Sequence, residues 1–217
     1  MLFYDGQGFM THAAGIAETA ELTGRSVCVG TANQVIVIDD FARTHGLTIT
    51  VLLRNGTAAA FAAFATGQCD AISADSSALI ALRASAPPTP ALTILAEVIS
   101  REPLGPFVRE GDDPWRSIVT WTIALLTGAE AEGVSSTNLD TMMTSTNPAI
   151  RRMLGVQPGL GAALGLSDDW GRNVLRQTGN YGEIFERNLG AGSPLHLARG
   201  LNALWNAGGL HYPLPLR

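Results

Sequence analysis

Short apolar runs alternate with helical patterns along the first half of the chain. These runs are rich in β-branched residues and end at glycine or polar residues, which is typical of buried strands. We expect strands at residues 25–30, 47–53, 69–73 and 92–99, with helices at 31–45, 57–66 and 76–85 between them. A strand followed by a helix at this short spacing favours βαβ units and a parallel sheet. Such a sheet binds ligands beyond the carboxyl ends of its strands, where the helices begin.

The pattern changes at about residues 101–103, which we interpret as a domain junction. Asp113 and Pro114 predict the start of a long helix, because an acid can cap the first turn and proline fits within it. The helix is expected to continue to about Glu132 and to end at Gly133. Only short helices and turns are expected beyond it. The sequence therefore predicts an α/β part followed by a helical part.

The charge composition excludes several classes of chemistry. All 14 basic residues among the 217 are arginines, so the chain has no P-loop lysine, Schiff-base lysine or lysine general base. The 19 acidic residues give a net charge of -5, which argues against a nucleic-acid partner. Hydrophobic residues make up 46% of the chain and charged residues 15%, which is typical of a folded globular protein.

The remaining candidate chemistry is sparse. The four histidines lack the spacing of metal ligands, and no serine or cysteine nucleophile has its usual motif. We expect no metal, no cofactor and no enzymatic activity. The longest nearly apolar stretch, residues 118–126, is too short to span a bilayer. Residues 1–8 have no signal-peptide pattern, so a cytoplasmic location stays open.

Five segments read together resemble a known family. The chain is similar to the periplasmic amino-acid-binding proteins of ABC transporters, and most of all to their general L-amino-acid-binding type. The match covers essentially the whole chain, and its motifs stand in the family's order. The segments are residues 3–10 (FYDGQGFM), 67–75 (GQCDAISAD), 99–106 (ISREPLGP), 179–188 (GNYGEIFERN) and 199–205 (RGLNALW).

The resemblance implies a type II periplasmic-binding-protein fold that is incomplete at its N-terminus. We expect an α/β lobe with a parallel βαβ sheet and a helical C-terminal remnant of the other lobe. The family arginine that pairs with the ligand α-carboxylate would then lie outside this chain. A periplasmic location is implied as well. The expected parts are residues 1–10 as the first hinge strand, 11–99 as the second lobe, 100–109 as the return hinge and 110–217 as the helical part of the first lobe.

The resemblance also implies the position of an ancestral ligand site. Asp75 stands where the family acid binds the ligand ammonium, although it could simply cap the helix at 76–85. Gly30, Thr31 and Asn33 stand at the turn that receives the ligand carboxylate. The family has Gly-Thr-Thr-Thr-Glu there, whereas this chain has Gly-Thr-Ala-Asn-Gln. We therefore expect ligand binding to be weak or altered.

The two cysteines also correspond to cysteines of the family. Cys28 and Cys69 lie on two predicted strands of one sheet, and neighbouring strands lie about 4.8 Å apart. The resemblance implies a disulfide between them if the protein matures in an oxidising compartment. The simpler alternative is that each is a small buried apolar residue.

The expected partners are a weakly bound amino acid, an ABC permease and a second copy of the chain. We expect a homo-oligomer, most simply a dimer, because part of a lobe is absent and its apolar partner face would be uncovered. The hinge strands or the apolar run Val35–Ile38 could form the interface. The alternative function is that of an oligomeric structural or interaction protein that has lost its ligand site.

Overall fold

The computed structural model describes residues 1–12, 16–87 and 91–216, which form two compact units. The chain passes from one unit to the other between Leu104 and Gly105, inside the return hinge predicted at 100–109. Within the described residues, no helix has the length and apolar character that crossing a membrane requires.

The α/β unit is built on a five-stranded sheet. Its strands are β2 (Gln7–His12), β3 (Ser26–Val29), β4 (Thr50–Leu53), β5 (Ala71–Asp75) and β6 (Leu92–Ile94). They lie in the order β4-β3-β5-β2-β6. β3 runs parallel to β4 and β5, whereas β2 runs antiparallel to both β5 and β6. The predicted parallel βαβ arrangement is present in β3, β4 and β5, whereas the antiparallel entry of β2 makes the sheet as a whole mixed.

The single hinge strand predicted at residues 1–10 is two strands in the structure. β1 (Phe3–Asp5) pairs antiparallel with β7 (Glu102–Leu104) in a separate two-stranded sheet, and β2 enters the main sheet. Gly6 lies at the break between them, where a Cβ atom would stand 2.5 Å from the carbonyl oxygen of Ser100. The close approach of two backbone segments explains why the residue at this break has no side chain.

Three helices flank the sheet, namely α1 (Ala32–His45), α2 (Thr57–Ala65) and α3 (Ser76–Ser85). Successive residues of a strand point to opposite faces, so β2 buries Phe9 in one apolar cluster and Met10 in the other. The Phe9 cluster includes Ile38 and Phe41 of α1, and the Met10 cluster includes Phe64 of α2. Each fully buried side chain of this size contributes about 1.5–3 kcal/mol to folding.

A disulfide joins β3 to the turn that precedes β5. Cys28 and Cys69 are bonded, with their Cα atoms 5.9 Å apart, and both are buried in the cluster around Met10. The predicted disulfide is therefore confirmed. It ties the two strands whose carboxyl ends lead into α1 and α3.

The second unit is helical. Its longest helix, α4 (Asp113–Ala131), buries Leu125, Leu126 and Ala129 in an apolar core that includes Trp170 and Tyr181, whereas Trp115 in its first turn is 52% exposed. The second half of α4 is therefore packed within its own unit. The helices are α4 (Asp113–Ala131), α5 (Leu139–Met142), α6 (Pro148–Met153), α7 (Leu160–Ala163), α8 (Trp170–Thr178) and α9 (Tyr181–Asn188).

A charged and aromatic cluster anchors the C-terminal segment of the helical unit. Arg199 forms an ion pair with Glu130 at 2.9 Å and lies over the rings of Tyr181 and Phe185. The buried ring of His211 packs against Tyr181 in a tilted arrangement with a centroid distance of 4.3 Å. Burial, followed by the nearby Arg199 charge, lowers the pKa of His211 from 6.5 to about 4, because both disfavour the protonated ring.

Candidate ligand-binding site

A depression of about 490 Å³ opens in the α/β unit where β2, β5 and α1 meet. Three of the four predicted ligand residues, Thr31, Asn33 and Asp75, contribute to its wall. Gly30 is not among the lining residues. The depression lies at the carboxyl end of β5 and the first turns of α1, the position where α/β sheets bind ligands. Its lining residues are Gln7, Thr31, Asn33, Gln34, Ile36, Val37, Asp75 and Glu102.

Asp75 does not act as the side-chain cap of α3, although it occupies the N-cap position. Its carboxylate accepts no hydrogen bond from the first turn of the helix. Asp5 takes that role, because the Ser77 hydroxyl donates to Asp5 Oδ2 at 2.5 Å and the Ser77 amide donates to Oδ1 at 3.4 Å. The Asp75 carboxylate is therefore not needed for capping and contributes to the lining of the depression.

The depression has an acidic end. Burial raises the pKa of Asp75, and the neighbouring carboxylates of Glu102 and Asp5 raise it further because like charges disfavour ionisation. The lining includes Asp75 and Glu102 but no arginine. This end of the depression therefore favours a cationic group, such as an ammonium.

The first turn of α1 forms another part of the wall. Thr31 caps the helix by accepting the Gln34 amide at 3.3 Å. In return, Gln34 Oε1 accepts the amides of Gly30 at 2.9 Å and Thr31 at 3.2 Å. Two amides that could meet a ligand carboxylate are thus occupied by a side chain. The positive end of the helix dipole still favours an anion here.

Gly30 has a packing role. A Cβ atom on it would lie 2.5 Å from the backbone nitrogen of Thr57 and 2.6 Å from the carbonyl carbon of Gly56. The Gly56 amide also donates to the Gly30 carbonyl oxygen at 3.1 Å. Gly30 therefore allows the turn before α1 to contact the turn before α2 and so fixes where α1 begins.

Gln7 links the lining to the buried sheet, and sequence analysis did not single it out. Its side-chain amide donates to the Ser73 hydroxyl at 2.9 Å and to the Gln34 carbonyl oxygen at 3.2 Å. Ser73 in turn donates to the Gly8 carbonyl oxygen at 2.7 Å. Gln7 and Ser73 are almost fully buried, so these bonds hold β2, β5 and α1 in a fixed arrangement. A glutamine separated by one glycine from the apolar pair Phe9 and Met10 was the available signal.

The side chains of the apolar run Val35–Ile38 lie in two different environments. Ile38 is fully buried in the core and Val35 packs against the same cluster. Ile36 is 59% exposed, and it lines the depression together with Val37. Part of the run is therefore satisfied by the core, and the remainder gives the depression an apolar wall.

The described parts of the chain contain no candidate metal centre. They contain no group of three or more histidines, cysteines or acids arranged to hold a metal ion. His12 stacks on Phe64 with a centroid distance of 4.3 Å, and the His45 ring contacts Phe41 in a tilted arrangement at the same distance. Both histidine rings therefore contact an aromatic residue of the core.

The chain is similar to several curated proteins, while no protein-family model matches it. It is 45% identical to the general L-amino acid-binding periplasmic protein AapJ of Rhizobium johnstonii. It is 42% identical to the glutamate/glutamine/aspartate/asparagine-binding protein BztA of Rhodobacter capsulatus. It is 41% identical to the putative amino-acid ABC transporter-binding protein YhdW of Escherichia coli. Each match covers 99% of this chain and 64% of the relative, so the chain spans just under two thirds of their length.

A solved structure matches the whole chain. It is an ABC transporter periplasmic binding protein from Brucella ovis with glutathione bound, 41% identical, with a TM-score of 0.93. The match covers 100% of this chain and 70% of that protein. The predicted type II periplasmic-binding-protein fold class is confirmed by this likeness. The chain belongs to the family of ABC-transporter periplasmic binding proteins that includes these amino-acid-binding relatives.

Proposed function

We propose that the chain supplies the ammonium-binding side of an amino-acid site and acts, without catalysis, in solute binding for an ABC transporter. The main support for this proposal is the position and hydrogen bonding of the Asp75 carboxylate. Its carboxylate lines the depression and is spared from capping α3 because Asp5 does that work. A carboxylate that is partly desolvated and not needed for the fold is suited to pair with a ligand ammonium.

Binding by the 217-residue chain alone is expected to be weak. Asp75 pairs with the ammonium, while Thr31 and Asn33 at the start of α1 meet the ligand carboxylate. No arginine lines the depression, so the ligand carboxylate has no bidentate guanidinium partner within it. A charge-assisted hydrogen bond contributes about 1.5–3 kcal/mol, and its absence corresponds to a loss of at least tenfold in affinity.

The relatives support an amino-acid ligand and a transport role. Their names specify amino-acid binding, and glutathione, the ligand of the Brucella ovis protein, also carries an ammonium and carboxylates. We infer an ABC permease as the partner and the periplasm as the location. The disulfide between Cys28 and Cys69 is consistent with an oxidising compartment.

Asp75→Asn tests the proposal directly. NMR titration of the wild-type chain with millimolar L-glutamine is expected to shift amide resonances around the depression. The substitution should weaken binding by about tenfold or more, because an amide cannot form the ion pair. Wild-type affinity should also fall as the pH drops through the raised pKa of Asp75, since the protonated carboxyl is uncharged.

Asp39→Asn is the matched control for this measurement. Asp39 is an exposed carboxylate on α1 that does not line the depression, and its substitution makes the same change in net charge. Binding should be unchanged in this variant. Equal affinities of Asp75→Asn and wild-type protein for L-glutamine would contradict the assignment of Asp75.

The alternative function, an oligomeric interaction protein, is favoured by the exposure of Ile36. Its side chain is 59% exposed, and covering it against a second copy would gain about 25 cal/mol for each Å² of apolar surface. Light scattering at micromolar concentration should then give the mass of a dimer, and Ile36→Asn should lower it. A cooperatively melting wild-type monomer would contradict the dimer.

A further inference from the structure

We propose that Glu102 is a specificity-determining residue that makes this site prefer amino acids with a cationic side chain. The inference rests on the proposed function, because it concerns the second charge of the same ligand. It assigns Asp75 to the α-ammonium and Glu102 to the positive group at the far end of the ligand side chain.

The first support is the strand register. In the pair formed by β1 and β7, Asp5 lies directly opposite Glu102. Like charges at directly opposed positions destabilise an antiparallel pair. Such a local conflict is expected where function requires it, and a cation that approaches these carboxylates would relieve it.

The second support is the difference between the two opposed carboxylates. Asp5 accepts hydrogen bonds from the Ser77 hydroxyl, the Ser77 amide and the Gly6 amide at 2.9 Å, so its charge is used in the fold. Glu102 accepts the Ser100 hydroxyl at 2.7 Å and lines the depression. Glu102 is therefore the member of the pair that a ligand can reach.

The third support is the balance of charge. Asp75, Glu102 and Asp5 interact closely enough for the last two to raise the pKa of Asp75. The α-ammonium of a neutral amino acid supplies a single positive charge toward these carboxylates. A second ammonium or a guanidinium would balance Glu102, whereas a carboxylate side chain would add repulsion.

The effect of a positive charge on the ligand side chain can be measured with two ligands that have the same number of heavy atoms. L-Ornithine and L-norleucine have side chains of equal length, and they differ in a terminal ammonium against a terminal methyl group. We expect the wild-type chain to bind L-ornithine about tenfold more tightly than L-norleucine in NMR titrations at low salt. Glu102→Gln should reduce this ratio to about two or less, mainly through weaker L-ornithine binding. Asp39→Asn should leave the ratio unchanged, which excludes a general effect of net charge.

Each outcome separates this inference from the proposed function. Equal wild-type affinities for the two ligands, or an unchanged ratio in Glu102→Gln, overturn the role of Glu102 and leave the amino-acid site standing. If the wild-type chain binds none of the tested amino acids, both the amino-acid site and the role of Glu102 are overturned. A melting temperature of Glu102→Gln at or slightly above that of wild type is expected, because the substitution removes the opposed charges. This second measurement shows that altered binding does not come from unfolding.

Discussion

The disulfide between Cys28 and Cys69 offers the sharpest test of how the α/β unit is stabilised. The two cysteines are 41 residues apart, so the bond closes a long loop in the unfolded chain. The loop-closure relation gives a stabilisation of about 4 kcal/mol for a loop of this length. The Cys28→Ala, Cys69→Ala double variant is expected to lose that amount, together with some packing in the cluster around Met10.

Urea denaturation followed by circular dichroism measures this loss. The double variant should show a lower transition midpoint, and wild-type protein treated with dithiothreitol should shift in the same direction without any change in side-chain volume. Agreement between the two shifts assigns the effect to the bond itself. A loss below about 1 kcal/mol in both samples would refute the argument, since the loop-closure contribution would then be absent.

Two further predictions concern pH and backbone packing. Because the folded pKa of His211 is about 4 and the unfolded value is 6.5, the unfolded state binds more protons between these values. Stability should therefore be complete above pH 6.5 and fall by at most about 3 kcal/mol as the pH decreases to 4, and thermal melts of His211→Gln should show a shallower decline than wild type. Gly30→Ala should destabilise the chain by about 1–3 kcal/mol, because its Cβ would meet the backbone of Gly56 and Thr57. Gly128→Ala is the control, since its Cβ would make an ordinary contact at 3.6 Å, and equal urea midpoints for the two variants would contradict the packing role of Gly30.

The local elements of the fold were predictable because their signals are local. The predicted helix at 76–85 matches α3, and the helix predicted from Asp113 to about Glu132 matches α4 to within a residue. The direction of β2 was not predictable in the same way. Its antiparallel pairing with β5 and β6 joins residues 60 or more positions apart, and no pattern within a single strand records which neighbour it meets.

The candidate site likewise combines residues placed by local sequence signals with residues placed by contacts between distant parts of the chain. Thr31 and Asn33 are placed by the start of α1, which the sequence indicates, and Asp75 is placed by the boundary between β5 and α3. Glu102 comes to the depression through the pairing of β1 with β7, so its proximity to Asp75 could not be read from spacing. Asp5 likewise reaches the first turn of α3 from a distant part of the chain.

The central position of β2 has a consequence for synthesis on the ribosome. β2 (Gln7–His12) leaves the ribosome before every other strand of its sheet, but its two neighbours, β5 (Ala71–Asp75) and β6 (Leu92–Ile94), follow only after most of the α/β unit has been made. Before β5 and β6 have been made, β2 has no neighbouring strand for its backbone hydrogen bonds, and its apolar side chains have no sheet to pack on. The five-stranded sheet therefore cannot be completed before residue 94 has emerged, because β6 supplies one of the two neighbours of β2.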